Sequence, residues 1–309
     1  MDRTRSSLVS VTALTAVLLA ACNALTSASA PPSATTSVAS GRIAFERALP
    51  GECNVRIYVM NADGSDAAPL TAGCDHEPAW SPDGEQILYS DGGGGMAGPY
   101  HLYVVHADGS GMVRLTDGPF VDHSPAWSPD GQRIAFAREP IENGNDDIFV
   151  INADGSGLAN LTSDPARGQS SPAWSPDGQR IAFVQTPQGV GSGDVSIMNV
   201  DGTAVRSLGV DGLDPAWSPS GDVIAYTGGC CAVGSWIYRM APDGSGAAEI
   251  PDSNGLDGAE PAWSPDGMLL AFSLNRGDRS EIWVMSGFGG SLVRLTGDPE
   301  ASDSAPSWR

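Results

Sequence analysis

The segment Pro78-Ala79-Trp80-Ser81-Pro82-Asp83-Gly84 decides the fold, because close copies of it recur along the rest of the chain. One copy carries Ser220 in place of the Asp, and the last stops after its tryptophan, at Arg309. The copies occupy residues 125–131, 172–178, 215–221, 261–267 and 306–309. The motif tryptophans are spaced by 43 to 47 residues, and repeats of this length are typical of solenoids and propellers.

Each period contains four short segments rich in β-branched, aliphatic and aromatic residues. In the second period these segments are residues 79–80, 87–89, 102–105 and 113–116, and each is typical of a strand. Ser-Pro-Asp-Gly between the first two favours a tight turn, because Pro presets φ to about −65° and Gly accepts the left-handed position. Four antiparallel strands in each period indicate the blade of a β-propeller.

The sequence therefore predicts an all-β, six-bladed propeller with four-stranded antiparallel blades. The first repeat begins with the strand at residues 43–45, and the last ends at Trp308-Arg309, just before a Ser-Pro-Asp-Gly turn would follow. We expect the C-terminal strand to pair with residues 43–45 in the N-terminal blade, because closure removes two free sheet edges. The Ser-Pro-Asp-Gly turns, the hairpins between third and fourth strands and both domain ends then share one side. We call it the tight-turn face, and the opposite side the loop face.

The repeated motif also carries a family resemblance. Pro-Ala-Trp-Ser-Pro-Asp-Gly, followed by strands of the Ile-Ala-Phe and Ile-Tyr-Val-Met types, resembles the TolB-like (WD40-like) β-propeller repeat. The resemblance covers residues 41–309, the predicted propeller domain. The resemblance implies a protein-interaction module. Some enzymes related by this repeat use a site at the channel mouth, so the resemblance also makes a catalytic site there an alternative.

The N-terminus has the features of an export signal. Two arginines precede an uncharged run over residues 8–21, which is too short to span a bilayer as a helix. The run ends in Leu19-Ala20-Ala21-Cys22, which resembles the lipobox of bacterial lipoproteins. The resemblance implies that residues 1–21 are a signal peptide and that Cys22 is lipidated. Ordinary cleavage after Ala28-Ser29-Ala30 is the alternative.

Residues 22–40 are predicted to form a tether, namely the lipidated Cys22 followed by an uncharged stretch rich in Ser, Thr, Ala and Pro. Such a composition favours a flexible stalk. We therefore expect an extracytoplasmic protein, lipid-anchored to a bacterial membrane and either periplasmic or on the cell surface. A formal net charge of −21 argues against a nucleic-acid partner. The acyl chains, not a basic patch, would hold the membrane, and we expect a monomer.

Four cysteines besides Cys22 are expected on the loop face. An even number in an oxidising compartment favours disulfide bonds. Cys53 and Cys74 fall in two loops of the first blade, and we expect them to be bonded to each other. The adjacent Cys230 and Cys231 form either a strained vicinal disulfide or two free thiols.

The residues just before each Pro-Ala-Trp enter the innermost strand at the mouth of the central channel. The candidate binding residues there are Asp75, His76, Glu77, Asp122, His123, Asp214, Glu260 and Asp303. Carboxylates suit Ca²⁺, and histidine with carboxylate suits a transition metal. The weak metal candidates are His76, His123, Asp75 and Asp122. The alternative, which we favour, is a solvated acidic rim that caps loop backbone groups and holds no cofactor.

Two functions remain open. The first is a membrane-tethered, non-enzymatic binding scaffold that presents its loop face to an envelope protein or to a small ligand such as a sugar or peptide. The second is a metal-dependent hydrolase or lyase at the channel mouth, with His76 or His123 as the base. The sequence has no Gly-x-Ser-x-Gly and no His-Glu-x-x-His motif. We therefore favour binding and assign no catalytic residue.

Overall fold

The computed structural model describes residues 41–51, 55–93, 98–141, 145–187, 193–229, 234–251 and 257–309. No helix long and apolar enough to cross a membrane occurs within these ranges. The predicted signal peptide, the lipidated Cys22 and the stalk lie outside the described residues and stay predictions.

The described residues form 24 β-strands. In chain order they are β1 (Arg42–Ala48), β2 (Val55–Asn61), β3 (Ala68–Pro69), β4 (Asp75–Trp80), β5 (Gln86–Asp91), β6 (His101–His106), β7 (Val113–Arg114), β8 (Phe120–Trp127), β9 (Arg133–Pro140), β10 (Asp147–Asn152), β11 (Ala159–Asn160), β12 (Arg167–Trp174), β13 (Arg180–Pro187), β14 (Asp194–Asn199), β15 (Arg206–Asp211), β16 (Leu213–Trp217), β17 (Ile224–Gly228), β18 (Trp236–Met240), β19 (Ala248–Glu249), β20 (Asp257–Trp263), β21 (Leu269–Asn275), β22 (Ser280–Ser286), β23 (Val293–Arg294) and β24 (Ser302–Trp308).

These strands form six four-stranded antiparallel sheets, which confirms the predicted propeller. Blade one has the order β24-β1-β2-β3, and blade two has the order β4-β5-β6-β7. Blades three to six follow in chain order from β8, β12, β16 and β20. Each blade begins with the strand that carries the motif tryptophan, and that strand is innermost.

Ring closure occurs as predicted from the sequence. Strand β24 pairs antiparallel with β1, with Ile43 opposite Trp308 and Ala44 opposite Ser307. The amide of Arg309 donates to the carbonyl of Arg42 at 2.8 Å. The first and last strands of the domain therefore lie side by side in blade one.

The hydrophobic core of the described residues is divided among the blade interfaces. Six clusters of buried side chains occur, and each joins two neighbouring blades. In the cluster between blades one and six, Ile43, Phe45 and Trp308 pack with Ala271 and Ile282. Blades thus bury their faces against each other, as a repeat architecture requires.

The Ser-Pro-Asp-Gly turns hold their shape through side-chain hydrogen bonds. In blade two, the hydroxyl of Ser81 donates to Oδ1 of Asp83 at 2.6 Å, and the amide of Glu85 donates to the same oxygen at 3.0 Å. These bonds, led by that of the Ser81 hydroxyl, lower the pKa of Asp83. Gly84 has φ of 75°, the left-handed conformation that its position in the motif predicts.

Candidate binding site at the channel mouth

A ring of six residues with left-handed backbone surrounds the central channel. Each lies immediately before a motif proline, has φ between 47° and 57°, and interrupts the register between the innermost strand and its neighbour. The six are Glu77, Ser124, Ser171, Asp214, Glu260 and Ala305. With the six prolines, they line the channel. Proline has no amide hydrogen to donate. It is tolerated after the left-handed residue because the bulge interrupts the hydrogen bonds between the innermost strand and its neighbour.

Acidic side chains of the ring bind groups of neighbouring blades. Glu77 accepts the amide of Ser124 at 2.5 Å, and Glu260 accepts the amide of Ala305 at 2.7 Å. Asp214 accepts the hydroxyl of Ser171 at 3.3 Å. These predicted binding residues therefore also hold adjacent blades together.

Burial of the acidic residues changes their titration. Burial raises the pKa of Glu260 to about 7, although bonds from Ser273 and Ala305 act in the other direction. Burial also raises the pKa of Asp214, against the hydrogen bonds from Thr227 and Ser171. The channel therefore holds carboxyl groups that take up protons more readily than exposed ones.

Glu46 belongs to the same cluster, although the sequence did not indicate it. Its carboxylate accepts the amide of Glu77 at 2.6 Å and lies 3.4 Å from Nδ1 of His76. Glu46 follows Ile43-Ala44-Phe45 on the second strand of blade one. The equivalent positions are Ser90, Ala137, Val184, Thr227 and Ser273. The sequence could have indicated Glu46, because it is ionisable and the equivalent residues of the other repeats are not.

A pocket of about 320 Å³ is lined by residues of blades one, two, three and six and includes part of this cluster. The residues that line it are Glu46, His76, Glu77, Ser90, Tyr100, Val121, His123 and Glu260. The rings of His76 and Tyr100 lie 5.8 Å apart. The structure thus brings together four of the predicted residues, His76, Glu77, His123 and Glu260, with Glu46 and Tyr100.

Each histidine of the pocket faces a carboxylate. The hydrogen bond with Glu46 raises the pKa of His76, more than burial lowers it. Nε2 of His123 lies 3.3 Å from Asp146. Burial alone would lower the pKa of His123, but Asp146 and the negative charge of Glu77 outweigh it and raise the pKa. Both carboxylate contacts therefore favour the protonated imidazole.

Three other predicted residues, Asp75, Asp122 and Asp303, line neither the channel nor this pocket. Asp122 forms a two-pronged ion pair with Arg138 at 2.6 and 2.8 Å, buried inside blade three. Asp303 pairs in the same way with Arg47. Asp75 is buried and accepts the amide of Gly73 at 3.0 Å.

The weak metal candidates are therefore divided between two places. His76 and His123 face the pocket, while Asp75 and Asp122 lie inside their blades. In the part of the chain that the structure describes, no group of three or more His, Cys, Asp or Glu side chains is arranged to hold a metal ion.

Of the four cysteines predicted on the loop face, Cys74 is the one that lies among the described residues. Cys74 is buried and disulfide-bonded. Its predicted partner, Cys53, lies outside the described residues, as do Cys230 and Cys231. The two predicted pairings therefore stay predictions.

The sequence matches the family model described as the TolB beta propeller domain over residues 95–257. Among curated proteins, none matches the sequence.

Several solved structures share the fold. TolB from Acinetobacter baumannii superposes with a TM-score of 0.74 at 21% identity, covering 87% of this chain and 66% of that one, so this chain spans just under two thirds of that protein's length. A putative TolB from Agrobacterium tumefaciens gives 0.65 at 19% identity, over 88% of this chain and 99% of that one. Oligogalacturonate lyase from Vibrio parahaemolyticus gives 0.56 at 15% identity, over 83% and 80%. Identities this low show the fold alone.

Proposed function

Because this chain belongs to the TolB beta propeller domain family, we propose that it is a binding protein that receives a partner at the channel mouth on its loop face. It works outside the cytoplasm, attached to a membrane through a lipid on Cys22. The observation that carries the proposal is the pocket lined by blades one, two, three and six, where His76, Tyr100 and His123 lie beside partly buried carboxylates.

The chemistry of the pocket favours a ligand with a cationic group. Glu46, Glu77 and Glu260 all line it, and the pKa of Glu260 is raised partly by the negative charges of Asp214 and Glu46. A cation bound beside them would offset this repulsion. The ring of Tyr100 offers an aromatic surface for the apolar part of an amine or guanidinium group. We therefore propose a protein with an exposed Lys or Arg, or a small cationic ligand.

Lyase chemistry has less support. A structure described as an oligogalacturonate lyase in complex with manganese shares the fold at 15% identity. In the present protein, however, each pocket histidine already contacts a carboxylate, and the candidate metal residues are divided between the pocket and the blade interiors. We therefore propose binding as the function.

Photo-crosslinking in the cell envelope tests the proposal. A photoreactive phenylalanine derivative replaces Tyr100 in one variant and Asp130, in a tight turn of blade three, in a matched control. We expect position 100 to trap a partner that position 130 does not. Adding Glu46→Gln to the first variant removes one of the negative charges that the cationic group would meet, and it should reduce the adduct at least fivefold. If the ligand is a small molecule instead, native mass spectrometry of the purified protein should detect it as an added mass.

Two results would count against this function. One is the absence of both an adduct at position 100 and a bound small molecule. The other is equal trapping at positions 100 and 130, because the loop face would then have no special role. Loss of the protein from the membrane fraction on Cys22→Ser, measured separately, tests the anchor.

A further inference from the structure

The hairpin between the third and fourth strands of blade six breaks the pattern of the other five blades. All six hairpins share one hydrogen bond, from a glycine amide to the carbonyl three residues earlier, as from Gly64 to Asn61 and from Gly289 to Ser286. This bond aligns the hairpins residue by residue. Just before the glycine, five blades carry aspartate and blade six carries Phe288. The aspartates are Asp63, Asp108, Asp154, Asp201 and Asp243.

The aspartate has a structural role that phenylalanine cannot perform. Oδ1 of Asp154 accepts the amide of Ser156 at 2.9 Å, and the other four aspartates make the same bond. The side chain of Phe288 cannot accept such a bond, and 57% of its surface is exposed. A local stabilising contact is therefore replaced by an exposed aromatic ring.

A second exception lies beside the first. The residue after each Ser-Pro-Asp-Gly turn is polar in blades two to five, whereas blade six carries Met268, which is 61% exposed. The polar equivalents are Glu85, Gln132, Gln179 and Asp222. The amide of Gly287 donates to the carbonyl of Met268 at 3.0 Å, so Met268 and Phe288 are neighbours. Two exposed apolar residues of blade six thus lie in adjacent turns of the tight-turn face, and we call them the patch.

The patch is accompanied by a positive charge. The guanidinium of Arg239, from blade five, lies 5.0 Å from the centre of the Phe288 ring. Blade six also lacks the hairpin carboxylate that the other blades carry there. An aromatic ring, a flexible thioether and a guanidinium suit the headgroup region of a phospholipid bilayer, which accepts apolar groups beside phosphates.

The position of the patch indicates which surface covers it. Residues 1–40 precede Gly41, whose carbonyl accepts the amide of Ala62 in the tight hairpin of blade one. Gly41 therefore lies on the same face as the patch, and blade one packs against blade six. The tether predicted from the sequence, about 18 residues long, would give a coil distance of roughly 25 Å, so a lipid on Cys22 would keep this face near the bilayer.

We propose that Phe288 and Met268 contact the headgroup region of the membrane to which the protein is tethered, and so orient the propeller with its loop face away from that membrane. The inference rests on the lipid anchor of the proposed function. Two side chains are too few to bind a free protein to a bilayer. The tether supplies the missing affinity by keeping the local concentration of lipid high.

Hydrogen exchange tests the contact with the full lipidated chain in vesicles of phosphatidylethanolamine and phosphatidylglycerol. The reference is the Cys22→Ser chain in solution. We expect exchange in the blade-six hairpin, residues 286–290, to slow at least threefold on vesicles. The equivalent blade-three hairpin, residues 152–156, should be unchanged. The matched variant Phe288→Asp with Met268→Gln restores residues that other blades carry, so it should fold, and it should lose the slowing.

The outcomes separate the inference from the proposed function. Vesicle-bound protein whose blade-six hairpin exchanges as fast as in solution overturns the membrane contact but not the anchor. Slowing that disappears when the lipid is raised tenfold over protein identifies a second copy of the chain as the occupant, and also overturns it. Protein that does not stay on vesicles contradicts the anchor itself.

Discussion

The six residues before the motif prolines have backbone conformations that are unfavourable for side chains other than glycine. A left-handed non-glycine residue is disfavoured by about 1 to 2 kcal/mol, yet all six blades keep it. The bulge turns Glu77, Asp214 and Glu260 into the channel, where they accept hydrogen bonds from a neighbouring blade. The unfavourable backbone conformation at these positions therefore places the carboxylates in the channel.

Glu260 provides a test at this scale. Its pKa is about 7 in the folded protein, raised by burial from an ordinary value of 4.5. The protonated acid is therefore favoured by folding, and the stability it contributes is full below pH 4.5 and is lost as the pH rises through 7. We expect Glu260→Gln, which cannot ionise, to raise the free energy of unfolding at pH 8 by about 1 to 3 kcal/mol, with little change at pH 4.

Urea unfolding at both pH values measures the effect. Glu85→Gln is the control, because Glu85 is exposed in a turn and its substitution should matter at neither pH. Equal stabilisation by Glu260→Gln at pH 4 and pH 8 would mean that ionisation of Glu260 is not the cause.

Pairs of strands show how one blade position can be filled in different ways. In blade three, Asp122 on β8 is opposite Arg138 on β9, and the two form a buried ion pair. In blade four, Gln169 on β12 is opposite Gln185 on β13 at the same positions. The fold thus accepts a charged pair at this position in blade three and a neutral pair in blade four.

This natural difference between blades gives a second prediction. Asp122→Ala should destabilise the protein by about 3 kcal/mol, because Arg138 would be left buried without its partner. The double variant Asp122→Gln with Arg138→Gln copies blade four and should recover at least half of that loss. Urea unfolding at pH 7 compares the three proteins. A double variant no better than Asp122→Ala would show that the charge of Arg138 is not what makes the single change harmful.

The whole ring depends on strand β24, which is the last strand in the chain and the innermost one of blade one. It pairs with β1 and places Trp308 in the core between blades one and six. Every other blade has a continuous connection at this point, between its innermost strand and the next. Closure is therefore made by hydrogen bonds and packing rather than by the covalent chain.

A circular permutant tests this account of closure. Joining Arg309 to Gly41 by a short linker, and opening the chain between Asp130 and Gly131, moves the break to the equivalent turn of blade three. We expect the melting temperature of the permutant to lie within a few degrees of that of the unpermuted propeller domain. The reason is that the innermost strand of each blade can be held by the same hydrogen bonds and packing. Deleting residues 302–309 is the contrasting variant. It leaves β1 as a free edge and should abolish cooperative unfolding.

The candidate site could be predicted only in part. The sequence located the residues before each proline but could not separate those that face the channel from those that turn into the blade. His76 and Glu77 reach the pocket, whereas Asp75, immediately before them, is buried inside its blade. The bulge at the left-handed residue decides which side chains face inward, and no glycine marks it. Glu46 was missed because its position in the repeat is otherwise filled by small or neutral residues.

The sequence by itself determined the repeat, the number of blades, the turn chemistry and the closure of the ring, because these depend on local patterns repeated at a fixed spacing. Only the tertiary structure decided which carboxylates meet at the channel and which form buried ion pairs. Only it brought Met268 beside Phe288. Those outcomes depend on contacts between residues far apart in the chain, and on backbone conformations that the packing of six blades imposes against local preference.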